Sequence, residues 1–330
     1  MINVNTKYLG LNLKNPLIVG SSRLTGELNS IRKCVEKGAS AIVLKSLFEE
    51  QIVEEAQSKL TKNNIDEHYF WFKEAEKKVM DLSFDQRMQL YLDFVLNVKT
   101  NVDVPIISSI NCLSSKGWPA FASEIEKAGA DALELNIGIF PFNTSSKSAE
   151  IENTYFDIVR EVKANVNIPV SVKIGPYFTN ILSFANGLAD AGADGIVLFN
   201  RFFRPDIDIN TRKLVANDNF SSAGDYKMPM RWIALLAASK LNVDLVASDG
   251  VHNYEAVIKN ILTGANAVQL CSTLYLNGID VIEKIHNDII TWMEKQGFNS
   301  LDDFRSSSLE LQSTDASFER TQYIKRSFND

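Results

Sequence analysis

Two lysines, three amide side chains and a set of small hydroxyls stand at the ends of short apolar runs. They are Ser21 and Ser22, Lys45 and Ser46, Ser109 and Asn111, Asn136, Lys173, Asn200, Ser248-Asp249-Gly250 and Cys271-Ser272-Thr273. Gathered in one place, they make a polar, electropositive mouth. A buried lysine needs a partner or a ligand charge, and a heterocycle rich in carbonyl oxygens, with a phosphate attached, supplies both. Ser248-Asp249-Gly250-Val251 and Cys271-Ser272-Thr273 each open a helix or turn, where unpaired backbone N–H groups and the helix dipole favour a phosphate. Gly250 permits close approach, and Ser272 and Thr273 add hydroxyl donors. Each loop alone reads better as a turn with an N-cap serine, but the two together, on strands seven and eight, favour a phosphate; the alternative for each lysine is a carboxylate partner such as Glu134.

The elements that must position these residues repeat. A helix ends in Gly-Ala, an apolar run follows, and the run stops at a polar group. Ala39 to Ser46, Ala130 to Asn136, Ala193 to Asn200 and Ala265 to Ser272 share the pattern, after Gly38, Gly129, Gly192 and Gly264. Glycine at that place closes a helix, and a short continuous apolar run is a strand buried on both faces. Runs ending at Ser21-Ser22, Asn111, Lys173 and Gly250 complete eight strand–helix pairs in alternation, which specify a closed parallel (β/α)8 barrel, a TIM barrel, in the α/β class. Helices are predicted over about 28–37, 85–100, 118–128, 151–164, 181–190, 231–240, 254–263 and 280–295. Residues 49–84 form an inserted, largely helical segment after strand two, with the cluster His68-Tyr69-Phe70-Trp71-Phe72. Residues 204–227 read as a long polar loop. Residues 1–305 are expected to form a single barrel and 306–330 a polar C-terminal arm. In this fold the site lies at the C-terminal ends of the strands.

Composition excludes several classes. The 330 residues are 45% hydrophobic and 23% charged, with a net charge of −7, so no basic face for nucleic acid is expected. Three scattered cysteines give neither a disulfide framework nor a metal motif, and no iron–sulfur cluster set is present. No apolar run approaches the ~18 residues of a membrane span, and Met1 to Gly10 carry no apolar signal region, so a cytoplasmic setting is expected.

The chain resembles the dihydroorotate dehydrogenase family, FMN-containing barrels, and more closely its soluble class-1 branch. Asn15-Pro16 with Gly20-Ser21-Ser22, Leu44-Lys45-Ser46, Glu134-Leu135-Asn136, Val172-Lys173-Ile174-Gly175-Pro176-Tyr177-Phe178 and Phe199-Asn200 stand where that family has its motifs, from about Asn3 to Arg305. The resemblance implies FMN as cofactor, oxidation of dihydroorotate or a related dihydropyrimidine or cyclic ene-carbonyl compound, and a homodimer. It implies that Gly20, Ser21 and Ser46 border the flavin, that Lys45 faces ring and substrate, that Asn136 and Lys173 bond the carbonyl edge and ribityl chain, and that Asn200 contacts substrate or ring. Gly224, Ser248, Asp249, Gly250, Ser272 and Thr273 would hold the phosphate, and no metal is implied.

Two departures concern the substrate. The family's cysteine or serine base falls at Ile139, which cannot take a proton, and its substrate loop after strand two is replaced by the charged and aromatic insertion. Ser145, Ser146, Cys112, His68 and Tyr177 are candidate replacements. His252 is better placed as a cap or phosphate contact, and His286 as a structural residue. Three readings follow: an oxidoreductase with an altered substrate or relocated base, an FMN-binding barrel with reduced catalysis, or a flavin-free barrel for a phosphorylated ligand with Lys45 or Lys173 as a Schiff-base lysine.

Overall fold

The computed structural model describes residues 2–48, 72–112, 118–139, 144–202, 205–216 and 220–307. His68, most of the insertion, the side chain of Cys112 and the arm beyond residue 307 lie outside the described residues.

Two antiparallel strands come first, β1 (Thr6–Tyr8) and β2 (Leu11–Leu13), joined at Leu9-Gly10. Both turn residues have positive φ, 53° and 71°, as a two-residue hairpin of primed type requires. The parallel strands are β3 (Leu17–Val19), β4 (Ala41–Val43), β5 (Leu47–Phe48), β6 (Ile106–Cys112), β7 (Ala132–Ile137), β8 (Val170–Ile174), β9 (Gly195–Leu198), β12 (Asp244–Ser248) and β13 (Ala267–Leu270). Pairing runs from β4 through β3, β13, β12, β9, β8 and β7 to β6, and β6 pairs back to β4, closing the sheet. Helices α1 (Leu28–Glu36), α2 (Phe72–Lys99), α3 (Trp118–Lys127), α4 (Ser148–Lys163), α5 (Ile181–Asp190), α6 (Lys227–Ala238) and α7 (Tyr254–Leu262) separate the strands; α8 (Ser272–Asn277) and α9 (Val281–Gln296) follow the last one.

Several details depart from the sequence reading, the first hairpin among them. Helix α2 runs unbroken through both the later part of the insertion and the regular barrel helix. The stretch expected to be a polar loop after β9 holds a second hairpin, β10 (Pro205–Asp208) with β11 (Lys213–Ala216). Its turn is closed by the Asp208 carboxylate, which accepts from the N–H groups of Asn210 and Thr211. Helix α6 begins at Lys227, four residues ahead of the predicted start.

Side-chain alternation along the strands sorts the core. Leu133, Leu135 and Ile137 of β7, with Val170, Val172 and Ile174 of β8, pack outward in the cluster shared with the helices. Inside, the lower layer is apolar: Ile18, Ala41, Val43, Ile107, Ala132, Val197, Val246 and Ala267, plugged by Tyr8, Leu9 and Leu13 of the first hairpin. One step further along, the inward positions of five strands are polar: Ser109, Glu134, Ser171, Gln269 and Ser248 are all buried. The change of layer falls toward the C-terminal ends of the strands, where barrels of this type carry their sites.

The second barrel strand is split. Ile42 and Val43 of β4 pair with Ile106 and Ile107 of β6, and Leu47 and Phe48 of β5 resume with Ile110 and Asn111. Between them the chain leaves the ladder at Leu44-Lys45-Ser46. The Tyr91 hydroxyl of α2 serves Ser109 of β6, accepting from its N–H at 2.9 Å and donating to its carbonyl at 3.0 Å. Tyr91→Phe leaves both buried groups without that partner and should lower unfolding free energy by about 2 kcal/mol, read by chemical denaturation. An unchanged denaturation midpoint would contradict this role.

Candidate active site

The polar layer is built on a three-residue chain of bonds. The Gln269 side-chain amide donates to Glu134 Oε2 at 2.5 Å and accepts from Lys173 Nζ at 2.8 Å. Lys173 Nζ lies 3.9 Å from Glu134 Oε1. Strands four, five and eight thus contribute one inward residue each. Glu134 is fully buried and Lys173 nearly so. Burial pushes the Glu134 carboxyl above its ordinary range, while the Lys173 charge and the Gln269 bond pull the other way. The carboxylate alternative for Lys173 therefore holds in part: Glu134 is a neighbour, and the amide of Gln269 makes the short bond.

Above this layer, Asn200 donates its amide to Asn136 Oδ1 at 2.8 Å, tying strand six to strand four. Ser21 Oγ accepts from the Ser46 N–H at 3.0 Å, and the hydroxyls of Ser21, Ser46 and Ser109 form a row at 3.1 and 2.7 Å. Gly20 lies beside Gln269; a Cβ there would come within 3.2 Å of the Gln269 side-chain oxygen. Lys45 is exposed, with its stem beside Gly26. Its backbone N–H bonds the carbonyl of Thr25.

Loops six, seven and eight enclose a cavity of about 190 Å³ bordered by Lys173, Arg201, Ser221, Ser248, Gly250 and Ser272, among others. Asp249 and Gly250 have φ of 88° and 72°. A Cβ on Gly250 would fall 2.0 Å from the Tyr226 nitrogen, so only glycine fits that turn. Arg201 ion-pairs with Asp225 at 2.9 Å and Asp249 at 3.4 Å. The Ser221 N–H donates to Ser272 Oγ at 2.9 Å, and its hydroxyl meets His252 Nε2 at 2.9 Å. Desolvation lowers the His252 pKa, and the cap of α7 is Asn253 rather than His252. Gly224 is exposed in the turn before α6, outside the cavity wall. Thr273 is buried and its hydroxyl accepts from Asn277.

Arg201, Ser221 and Gln269 were not singled out by the strand-end pattern. Gln269 lies inside a strand, one residue short of its end, and inward alternation from Cys271 is the signal that could have found it. Arg201 directly follows Asn200 at the start of the loop, where its charge is the one local signal.

Ile139 is half-buried three residues past Asn136, and its N–H donates to the Tyr155 hydroxyl at 3.3 Å. Ser145 is exposed in the turn before α4. Tyr177 is 72% exposed and stacks on Phe202 with centroids 5.4 Å apart. His286 lies on the outer helix α9. Among the described residues, no group of three or more His, Cys, Asp or Glu could hold a metal, and no helix is long and apolar enough to cross a membrane.

The Glu134 shift has a pH consequence. A carboxyl whose folded pKa is raised leaves stability intact below its unfolded pKa and loses it as pH rises through the folded one. Glu134→Gln cannot ionise and can still accept the Gln269 bond. Its stability relative to wild type should therefore improve as pH rises from about 4 to about 7, measured by denaturant unfolding across that range. A difference that stays flat with pH would contradict the buried-carboxyl account.

The family model for dihydroorotate dehydrogenase matches residues 74–293. The chain is 25% identical over 310 residues to the dihydroorotate dehydrogenase B (NAD(+)) catalytic subunit of Thermoplasma volcanium, covering 92% of this chain and 97% of that one. The proteins of the same name from Methanocaldococcus jannaschii and Pyrococcus abyssi are 27% and 28% identical, covering 89% and 94% of this chain and 94% and 100% of theirs. A barrel of eight parallel strands, with a buried lysine and paired asparagines at its mouth, thus belongs to the dihydroorotate dehydrogenase family of oxidoreductases.

Proposed function

We propose that the chain binds FMN and moves hydride between it and a cyclic substrate of the dihydropyrimidine or ene-carbonyl type. The observation that carries this reading is Lys173: a nearly buried cation whose short bond goes to a neutral amide, beneath the Asn136–Asn200 pair. A ring edge lined with carbonyl oxygens suits those donors. The Gly250 turn, closed against Tyr226, and the hydroxyls of Ser248 and Ser272 suit a phosphate. The cavity of about 190 Å³ is smaller than the ~300 Å³ at which ligand pockets begin, so it would take the phosphate end while the ring lies over the open mouth.

Bound FMN would supply the centre that accepts or gives hydride. The residues of this chain do the rest. Lys173 would place positive charge where the reduced ring gathers negative charge, held there by Gln269 and Glu134. Asn136 and Asn200 would orient ring and substrate, and Gly20, Ser21 and Ser46 would border the ring. Lys45, exposed at the rim, would approach the substrate. Ser248, Asp249, Gly250, Ser272 and Thr273 would form the phosphate end, with Gly224 in the adjoining turn. Asp249 brings a carboxylate to that end, and Arg201 offsets it.

The proton that accompanies hydride needs a base at the mouth. The side chain at 139 is hydrocarbon, and Ser145, in the same loop, is the replacement we favour. An FMN-binding barrel with reduced catalysis is the second reading, supported by the same Ile139. By likeness to relatives named as NAD+-linked catalytic subunits, NAD+ would be the final acceptor. We further propose a homodimer; the exposed Ile207, Ile209 and Leu214 of the β10–β11 hairpin offer apolar area for it.

Purified protein should take up FMN stoichiometrically, with the shifted visible spectrum of a bound flavin. A protein that leaves added FMN free in solution would sink the proposal. Bleaching of the bound flavin by dihydroorotate or dihydrouracil under anaerobic conditions separates the catalytic reading from the binding one. Asp249→Gly removes a carboxylate and a side chain strained at positive φ. It should tighten FMN binding by about tenfold, the factor that corresponds to ~1.4 kcal/mol; weaker binding would place the phosphate elsewhere.

A further inference from the structure

A second cavity, of about 450 Å³, opens beside the mouth, lined by Ile139, Ile151, Glu152, Tyr177, Phe178 and Phe202, among others. It is within the size range of small-molecule sites and has their makeup, mostly apolar walls with few polar groups. Three loops build both it and the polar mouth. Asn136 leads to Ile139, Lys173 to Gly175 and Tyr177, and Asn200 to Phe202. Arg201 lines the first cavity and Phe202, the next residue, lines the second, so the segment is a shared wall. Phe202 lies so close over Gly175 that a Cβ there would be 2.2 Å from its ring, which fixes the ring's position. Tyr177 stacks on it at 5.4 Å, and the Phe178 ring stacks on Phe184 at 3.6 Å. The walls are therefore held planes, suited to a flat apolar group.

Charge narrows the occupant. Glu152 contributes a carboxylate, and no lysine, arginine or histidine lines this cavity among the described residues. An anionic group would enter against that carboxylate with no cation to meet it. Ile139, three residues past Asn136, gives the cavity a hydrocarbon surface.

We infer that this cavity is a substrate subsite for a flat apolar substituent, aromatic in size and neutral or cationic, carried by the ring that reacts at the mouth. This rests on the proposed flavin reading and narrows its substrate class to a cyclic ene-carbonyl compound without a carboxylate. The subsite is a matter of binding, and its test is binding.

The probes are 3-phenylcyclohex-2-enone, which carries ring and substituent, and orotate, which carries a carboxylate and no substituent. Titration of FMN-loaded protein, followed by the flavin spectrum, should show the phenyl compound bound at least about tenfold more tightly than orotate. Ser148→Trp, at the exposed start of α4, and Ile151→Trp, one turn on, each put an indole into the cavity. Both should weaken the phenyl compound about tenfold or more while FMN affinity and orotate binding stay as in wild type. The Ser148 variant keeps the test usable should the Ile151 variant fold poorly. Orotate binding as tightly as the phenyl compound, or a phenyl compound indifferent to both substitutions, overturns the subsite. If FMN itself does not bind, the flavin reading fails separately. Calorimetry with the phenyl compound alone then decides: binding that Ser148→Trp abolishes supports the subsite, and binding that it leaves intact, or none at all, overturns it.

Discussion

The buried Glu134–Gln269–Lys173 connection is the constraint on which the rest of the site depends. Three barrel strands deliver one inward side chain each, and the three meet in a space from which water is largely removed. Placing a carboxyl and an ammonium there is costly unless both are hydrogen-bonded. Gln269 meets that need on both sides, since one amide can donate and accept at once. The lysine is thereby held at the top of the polar layer, and its remaining donors are left for the mouth.

That arrangement requires the apolar layer beneath it. The first hairpin plugs the barrel from below with Tyr8, Leu9 and Leu13, and Leu9 donates its N–H to Asp244 at the base of β12 at 2.6 Å. With the lower interior filled, the strands cannot close further, and the next inward residues are kept apart at side-chain bonding distance. The split of the second strand serves the same end. Leu44-Lys45-Ser46 leaves the ladder, Ser46 turns to Ser21 and Ser109, and Tyr91 covers the vacated bonds of β6.

Much of this was legible in the sequence because barrel strands advertise themselves. Each Gly-Ala followed by an apolar run gave a strand, and the polar residue at its end gave a place at the mouth. What hid was of two kinds. Hairpins at Leu9-Gly10 and in the loop after β9 lack the usual Asn-Gly or Asp-Gly turn, so periodicity over three or four residues was too short to read. Gln269 sits within an apolar run and is visible only when inward alternation is traced through neighbouring strands. The second cavity was hidden for a different reason: its residues come from three loops whose convergence no local pattern reports. Ile139 reads in the sequence as the loss of a base, and in the structure it is also part of a wall.

The central claim is that Lys173, held by Gln269 and Glu134, sets the charge environment of a bound flavin. The direct measurement is the midpoint reduction potential of the bound FMN in wild type and in Lys173→Gln, with FMN affinity recorded for both. The account predicts a lower potential in the variant, because the reduced ring loses its nearby positive charge. An FMN-loaded variant whose potential equals that of wild type would contradict it.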